Sequence, residues 1–310
     1  MQPFKRLRDT QVCDGRQTIT FQRYADMDRS SQPYRSVLYI PGSNARAIEK
    51  SRGLAVDAII FDLEDAVTPD AKLSARDTLR AELAKGGFGP RRRIVRINGF
   101  DTDWGADDLA ACVEMAPDAV LIPKVETPDT IASVRSALGG LNTTIWAMME
   151  TPTGILNAAA IAGAPGMEGF VMGTNDLAKE LGSRTRSAMH TSLQLCLLAA
   201  RSKGLVCVDG VYNAFKDEDG LRAECEEGRD FGFDGKTLIH PAQVAPTNDV
   251  FGISSETLDL ANRQIEAFNA AKAEGSGVAV VDGKIVENLH VETALQVIAK
   301  AKAIAALEAS

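Results

Sequence analysis

Eight short runs of β-branched and aliphatic residues, each followed by a longer segment of helical period, occupy the chain from residue 36 onward. No other feature restricts the fold as strongly, because such alternation is the mark of repeated strand–helix units on a parallel sheet. The runs are SVLYI (36–40), AIIFDLE (58–64), IVRIN (94–98), AVLIPK (119–124), IWAMME (145–150), GFVMG (169–173), LVCVDG (205–210) and KTLIH (236–240). They are nearly continuous in apolar character, as strands buried on both faces must be. Segments 71–85, 130–138 and 187–203 between them carry helical spacing. Eight units predict a closed (β/α)8 TIM barrel of the α/β class, with an open doubly wound sheet as the other arrangement of the same parts.

The remainder reads as two appendages. Residues 1–34 mix Arg6, Arg8, Arg16 and Arg23 with Asp9, Asp14, Asp26 and Asp28 and carry no apolar leader run, so they are expected to form an N-terminal arm rather than a targeting segment. Residues 35–250 hold the barrel. After the HPAQVAP stretch (240–246), residues 251–310 predict a small helix-hairpin-helix module. Its first helix spans 254–274, with Leu258, Ala261, Ile265 and Phe268 near helical spacing. A hairpin then turns at Asp282-Gly283, the dipeptide that favours two-residue turns, and a last helix covers about 290–307.

Charge and cysteine usage narrow the partners. With 34 Lys and Arg against 42 Asp and Glu the net charge is −8 and the pI near 5.1, a field that repels nucleic acid and anionic lipid. The longest apolar stretches fall well short of the roughly 18 residues a membrane span needs. No nucleic-acid or membrane partner is expected. Cys13, Cys112, Cys196, Cys207 and Cys225 form no CxxC pair, which suits reduced thiols and a cytoplasmic location.

In a barrel the chemistry sits where strands end, so polar residues closing apolar runs carry information. Run five ends in Glu150, and run six passes through Gly173 into Thr174-Asn175-Asp176. Adjacent strands lie about 4.8 Å apart, so these two carboxylates can converge on one hard cation such as Mg²⁺. Their plainer roles are a cap or salt-bridge partner for Glu150 and a first-turn helix acid for Asp176. Run three places Arg96 on an apolar strand, where a buried guanidinium needs an anion, either a substrate or the acids Asp62, Glu64 and Asp65 that end run two. Spacing does not decide which of the three faces it.

Other candidates are weaker. Lys124 follows run four, but the surrounding carboxylates favour its charged form and argue against Schiff-base chemistry. The YIPGSN loop (39–44) opens a helix, a setting suited to phosphate. His190, His240 and His290 are scattered without zinc spacing, and His240 before a proline reads as structural. Neither GxGxxG nor GxxxxGK[ST] occurs, and Arg91 to Arg93 read as a solvated face.

Taken in order, RSVLYIPGSN, FDLEDAV, VRING, IPKVETP, METPTG, GTNDLAKELG and FDGKTLIHPAQV resemble the citrate lyase β-subunit-like branch of the HpcH/HpaI aldolase superfamily, over about residues 35–305. The nearest likeness is to malyl-CoA, methylmalyl-CoA and citramalyl-CoA lyases. The resemblance implies a (β/α)8 barrel assembled as a homotrimer or hexamer, binding Mg²⁺ (with Mn²⁺ as a substitute) and a CoA thioester. By motif it places metal ligands at Glu150 and Asp176, an enolate-stabilising arginine at Arg96, and CoA contacts at Tyr39, Asn44 and Lys50. It further implies that the C-terminal module is a lid exchanged between subunits. That lid supplies a catalytic acid, an Asp in relatives, at the position of Glu287 here.

The activity so implied is cleavage, or the reverse condensation, of a 3-carboxy-3-hydroxyacyl-CoA into an acyl-CoA and a 2-oxo acid. Arg96 would stabilise the thioester enolate and Glu287 would protonate it. Three alternatives use the same barrel: a malyl-CoA thioesterase, a CoA-independent pyruvate aldolase, and a non-catalytic subunit. The last is disfavoured because unused buried charges destabilise a fold.

Overall fold

A computed structural model describes residues 32–309. The arm expected at 1–34 therefore lies outside the described residues except for its last three positions, as does Cys13. The eight expected runs form eight parallel strands that close on themselves. They are β1 (Ser36–Pro41), β2 (Ala58–Asp62), β3 (Arg92–Arg96), β4 (Ala119–Ile122), β5 (Thr144–Met149), β6 (Met167–Met172), β7 (Val206–Asp209) and β8 (Gly235–Leu238). Each pairs with the next, and β1 pairs with β8 through Ser36↔Lys236 to Leu38↔Leu238, which excludes the open sheet. The fold is a TIM barrel.

Ten helices surround and extend the strands: α1 (Ala45–Ser51), α2 (Lys72–Ala84), α3 (Gly105–Met115), α4 (Pro128–Leu138), α5 (Pro152–Leu156), α6 (Ala158–Ala162), α7 (Thr174–Leu181), α8 (His190–Arg201), α9 (Glu218–Phe231) and α10 (Val244–Val250). The helix expected over 187–203 begins as a 3-10 turn (Arg186–Met189) before α8. Side chains alternate along the strands, as the two-residue period requires. Leu38, Ile59, Phe61, Val95, Val120 and Phe170 point outward under the helices. Val37, Ile60, Ile94, Leu121, Trp146 and Val208 fill the barrel. Burying each such side chain contributes roughly 1.5–3 kcal/mol. Trp146 takes the most room, and a Cβ built on Gly169 would stand 2.9 Å from its indole, so a residue without a side chain faces it.

The same parity carries charge to both ends of the barrel. Along β3 the inward positions are Arg92, Ile94 and Arg96. At the N-terminal end Arg92 donates to both Glu168 oxygens (2.8 and 2.7 Å), and the Trp146 indole N–H (2.9 Å) and the Tyr34 and Thr144 hydroxyls also reach that carboxylate. This corrects the solvated face expected at Arg91 to Arg93. Arg91 is buried and donates to the Leu54 and Phe88 carbonyls, while Arg93 pairs with Asp118. The physical reason is that β3 starts two residues before its apolar run, which turns Arg92 into the barrel floor and leaves Arg91 and Arg93 to neighbours on its outer side.

Beyond the barrel, α11 (Ser255–Ala273), β9 (Ala279–Val281), β10 (Lys284–Val286) and α12 (Asn288–Glu308) pack on one another around Phe268, Val281, Val286 and Val291. The hairpin turns at Asp282 and Gly283, both at positive φ (51° and 75°), as the expected two-residue turn demands. Ser254 caps α11 through the Thr257 amide. Among the described residues, no helix is long and apolar enough to cross a membrane, and the four cysteines are buried and unpaired.

Candidate active site

Strand register assembles the site. Asp62 at the end of β2 lies directly across from Arg96 at the end of β3, both with the inward parity of Ile60 and Ile94. Arg96 donates from Nε to Asp62 Oδ1 (2.7 Å) and from Nη2 to Oδ2 (2.6 Å), a bidentate fork. Its Nη1 is 2.8 Å from Glu64 Oε2 and 3.6 Å from Asp65 Oδ2, and its guanidinium carbon sits 4.9 Å from the centroid of the Tyr39 ring. Burial works against this charge, yet Asp62, Tyr39 and Glu64 hold it firmly in the protonated form. Of the three acids, Asp62 makes the fork. It also folds its own loop, accepting from the Glu64 and Ala66 amides (2.9 and 3.0 Å).

Glu150 follows β5 with the parity of Trp146 and Met148 and is 1% exposed. Its Oε1 accepts from the Lys124 amide (2.8 Å), which Lys124 aims by adopting φ 49°. Burial first, then Glu64 and Asp176, push its carboxyl up to about 8. The neighbouring backbone is close. A Cβ on Gly173 would fall 2.3 Å from Glu150 Oε2, so the β6–α7 turn touches this carboxylate only because it carries no side chain. Asp176 stands in the first turn of α7, half-buried, and lines the same cavity as Glu150 and Arg96.

That cavity, about 350 Å³, opens at the C-terminal end of the barrel. Tyr39, Met148, Met172, Val211 and Ile239 give it an apolar wall; Asp62, Arg96, Glu150 and Asp176 supply charge, and Asn175 and Asn213 add amides. Glu64 is raised to about 7 by burial, with Asp65 and Asp62 adding and Arg96 opposing. Although burial opposes it, the Lys124 ammonium is held charged by Glu64, Glu150 and Asp176, which agrees with the reading against Schiff-base chemistry. Among the described residues no cluster of three or more His, Cys, Asp or Glu could hold a metal. Glu150 and Asp176 offer two carboxylates, a set that would leave most of a hard cation's shell to water and substrate oxygens.

The remaining candidates disperse. Tyr39 lies inside the barrel under Arg96. Asn44 and Lys50 are exposed on α1, away from the cavity lining, with Asn44 Oδ1 capping the helix through the Ala47 amide (3.0 Å). Glu287 is exposed at the start of α12, where it forms a capping box with His290, and it does not line the cavity of its own chain. His240 is structural as expected, its Nδ1 accepting from the Ala242 amide. Sequence reasoning missed Gly173, Met148 and the buried Lys72 beneath the 62–66 loop.

Residues 35–241 match the family described as HpcH/HpaI aldolase/citrate lyase, which is two thirds of the chain and nearly all of the barrel. The chain belongs to this family. Among its relatives, a (3S)-malyl-CoA thioesterase of Cereibacter sphaeroides is 61% identical over 287 residues, covering 92% of this chain and all of the relative. The citrate lyase subunit beta of Escherichia coli is 32% identical over 288 residues, 88% of this chain and 95% of that protein. A solved structure, the Mycobacterium tuberculosis protein CitE in complex with magnesium, acetoacetate and coenzyme A, superposes with a TM-score of 0.71 at 27% identity. It covers 88% of this chain and 99% of that one.

Proposed function

We propose that this protein hydrolyses the thioester of a 3-carboxy-3-hydroxyacyl-CoA, malyl-CoA foremost, in a Mg²⁺-dependent reaction. The observation that carries the reading is a buried carboxylate, Glu150, sharing one cavity with Asp176 and a guanidinium, in a chain 61% identical end to end to a (3S)-malyl-CoA thioesterase. The donor set fits a cation. Glu150 is almost wholly buried, it accepts a hydrogen bond from a neutral amide, and burial with the nearby Glu64 and Asp176 carboxylates raises its proton affinity, a charge balance that a cation would relieve. Mg²⁺, or Mn²⁺ in its place, would be held by Glu150 and Asp176 and would supply Lewis acidity toward the substrate oxygens it shares.

The chain's own residues do the rest. Arg96, pre-set by Asp62 and Glu64, presents N–H donors where the thioester oxygen gains charge. Met148, Met172 and Ile239 exclude bulk water around the acyl chain. Water oxygen bonds to the thioester carbon as it gives up a proton, the carbon–sulfur bond breaks, and the thiolate takes up that proton to leave as CoA. Glu287, exposed and without an ion pair among the described residues, is assigned the proton transfer at the site of a second copy. The C-terminal module suits such exchange. Val280 and Ile285 pair across the hairpin and, with Leu289, present an apolar face that is 58–66% exposed and would be covered in a homo-oligomer. Tyr39, which lines the cavity, and Asn44 and Lys50, which do not, are assigned to the CoA moiety.

The similarity to citrate lyase beta subunits favours one second reading, in which the bond between carbons 2 and 3 of the acyl group breaks. Incubating the protein with Mg²⁺ and malyl-, methylmalyl- or citramalyl-CoA, and weighing the products, separates the two. Hydrolysis gives free hydroxy diacid and CoA. Appearance of acetyl-CoA or propionyl-CoA with a 2-oxo acid would assign the protein as a lyase.

A further inference from the structure

Beneath the loop that grips Arg96 lies a cation that pairs with no carboxylate among the described residues. Lys72 is 6% exposed and opens α2, the helix end where the backbone dipole disfavours positive charge. All three ammonium hydrogens are used on uncharged acceptors: the carbonyls of Leu63 (2.8 Å) and Glu64 (2.7 Å) and Asn98 Oδ1 (2.7 Å). Asn98 is itself fixed. Its side-chain amide donates to the Leu63 carbonyl (2.8 Å) and to Asp108 Oδ2 (2.6 Å), and Asp108 is paired with Arg76 (2.9 Å). The Trp104 ring closes over the ammonium at 5.3 Å. Burial opposes a charge here while Asp62, Asp108, Glu64 and Asp65 favour it, and an apolar side chain would strand three acceptors, so the lysine has a local reason.

The loop it holds gives a second. From above, Asp62 binds the Glu64 and Ala66 amides; from below, Lys72 binds the Leu63 and Glu64 carbonyls. Pinned on both sides, residues 63–66 hold the Glu64 backbone at the point from which its carboxylate stands 2.8 Å from Arg96 Nη1. We propose that Lys72 is a positioning residue for the reaction: it clamps the loop after β2 so that Glu64 steadies the Arg96 donors toward the thioester oxygen. The inference rests on the functional reading above for its kinetic consequence, and on geometry alone for the clamp.

The test uses the full chain with Mg²⁺ and compares Lys72→Met, Glu64→Ala and the double variant, with rates normalised to folded protein. Because a misplacement of about 1 Å can reduce a rate ~100-fold, Lys72→Met is expected to lower kcat about 10- to 100-fold while KM moves less than about threefold. The double variant should be no slower than the worse single variant. Hydrogen exchange of the 62–66 segment should quicken about tenfold with the barrel strands unchanged, a readout that needs no turnover. A kcat within about twofold of the parent, or losses that multiply in the double variant, would overturn the proposal. Unaltered exchange at 62–66 would do the same even if malyl-CoA proved not to be a substrate, a result that by itself counts only against the functional reading. Should Lys72→Met fail to fold, Lys72→Gln, which keeps an N–H donor on a shorter arm, is judged by the same criteria, with a smaller kcat loss expected.

Discussion

Asp62 and Arg96 face each other across β2 and β3 in strict register, and their side chains share two hydrogen bonds of 2.7 and 2.6 Å inside the barrel mouth. This pair fixes the plane of the guanidinium, leaving Nη1 for Glu64 and the cavity. Arg96→Lys keeps the charge but loses the fork. Steady-state hydrolysis should fall about 100-fold, chiefly in kcat, in line with losing an oxyanion donor. Arg96→Met, which strands the buried Asp62 carboxylate and the partly buried Glu64, should also lower unfolding free energy by about 3–5 kcal/mol in urea titrations. Parent-like kcat in Arg96→Lys would remove the guanidinium from the account.

The proposed role of Glu150 as a ligand predicts pH-dependent metal binding. Burial with Glu64 and Asp176 lifts Glu150 to about 8, and burial with Asp65 and Asp62 lifts Glu64 to about 7. Both values lie above the ordinary 4.5, so between these limits the folded chain binds protons the unfolded chain has released. Stability of the metal-free protein should therefore decline as pH rises from about 4.5 through 8. A divalent cation must displace the Glu150 proton. Its affinity is expected to climb about tenfold per pH unit between about 6 and 8, with proton release on binding at pH 7. Calorimetry in buffers of different ionisation enthalpy measures that release, and a pH-independent affinity would count against Glu150 as a ligand.

Gly173 offers a sharper steric probe. Its φ is ordinary, −88°, so Gly173→Ala adds no backbone strain, but the new methyl would fall 2.3 Å from Glu150 Oε2. The carboxylate must move. Mg²⁺ affinity should drop about tenfold or more, as when a metal ligand loses its support, and the melting temperature of the metal-free protein should fall too, because the methyl also meets Glu150 Cβ at 2.4 Å, an atom that no rotamer change can move. Unchanged affinity would show that Glu150 does not hold the ion.

Much of this was legible beforehand, for reasons that differ by element. The strands could be read because burial on both faces writes them as apolar runs, and Glu150 and Arg96 stood out as charges on such runs. Their ends were less legible. β2 stops at Asp62 because that side chain folds the following amides back on itself, and β4 stops at Ile122, two residues before Lys124 turns to positive φ. Lys72 left no trace because its acceptors are backbone carbonyls and an amide, without a partner of opposite charge to pair it with. Gly173 acts through proximity, which composition does not record. Asn44 and Lys50 share a motif with Tyr39, yet β1 carries Tyr39 into the barrel while α1 leaves the other two on the surface.

The assignment of Glu287 to a neighbouring site predicts complementation between subunits. Glu287→Gln retains the helix cap in form but not the titrating group, and should be nearly inactive in a homogeneous oligomer. Co-expressed with Arg96→Met, it should give hybrid oligomers in which one site pairs an intact Arg96 with an intact Glu287. Activity above that of either variant alone is the expected result. Full activity in Glu287→Gln by itself would exclude the residue from proton transfer.

The most direct measurement is a crystal structure of the protein soaked with Mg²⁺ and malate. The account predicts one ion with a carboxylate oxygen of Glu150 and of Asp176 each about 2.1 Å away, malate and water completing its shell, and Arg96 facing the carboxyl that the thioester would occupy. An ion bound elsewhere, or Glu150 and Asp176 turned apart with malate absent from the barrel mouth, would contradict it.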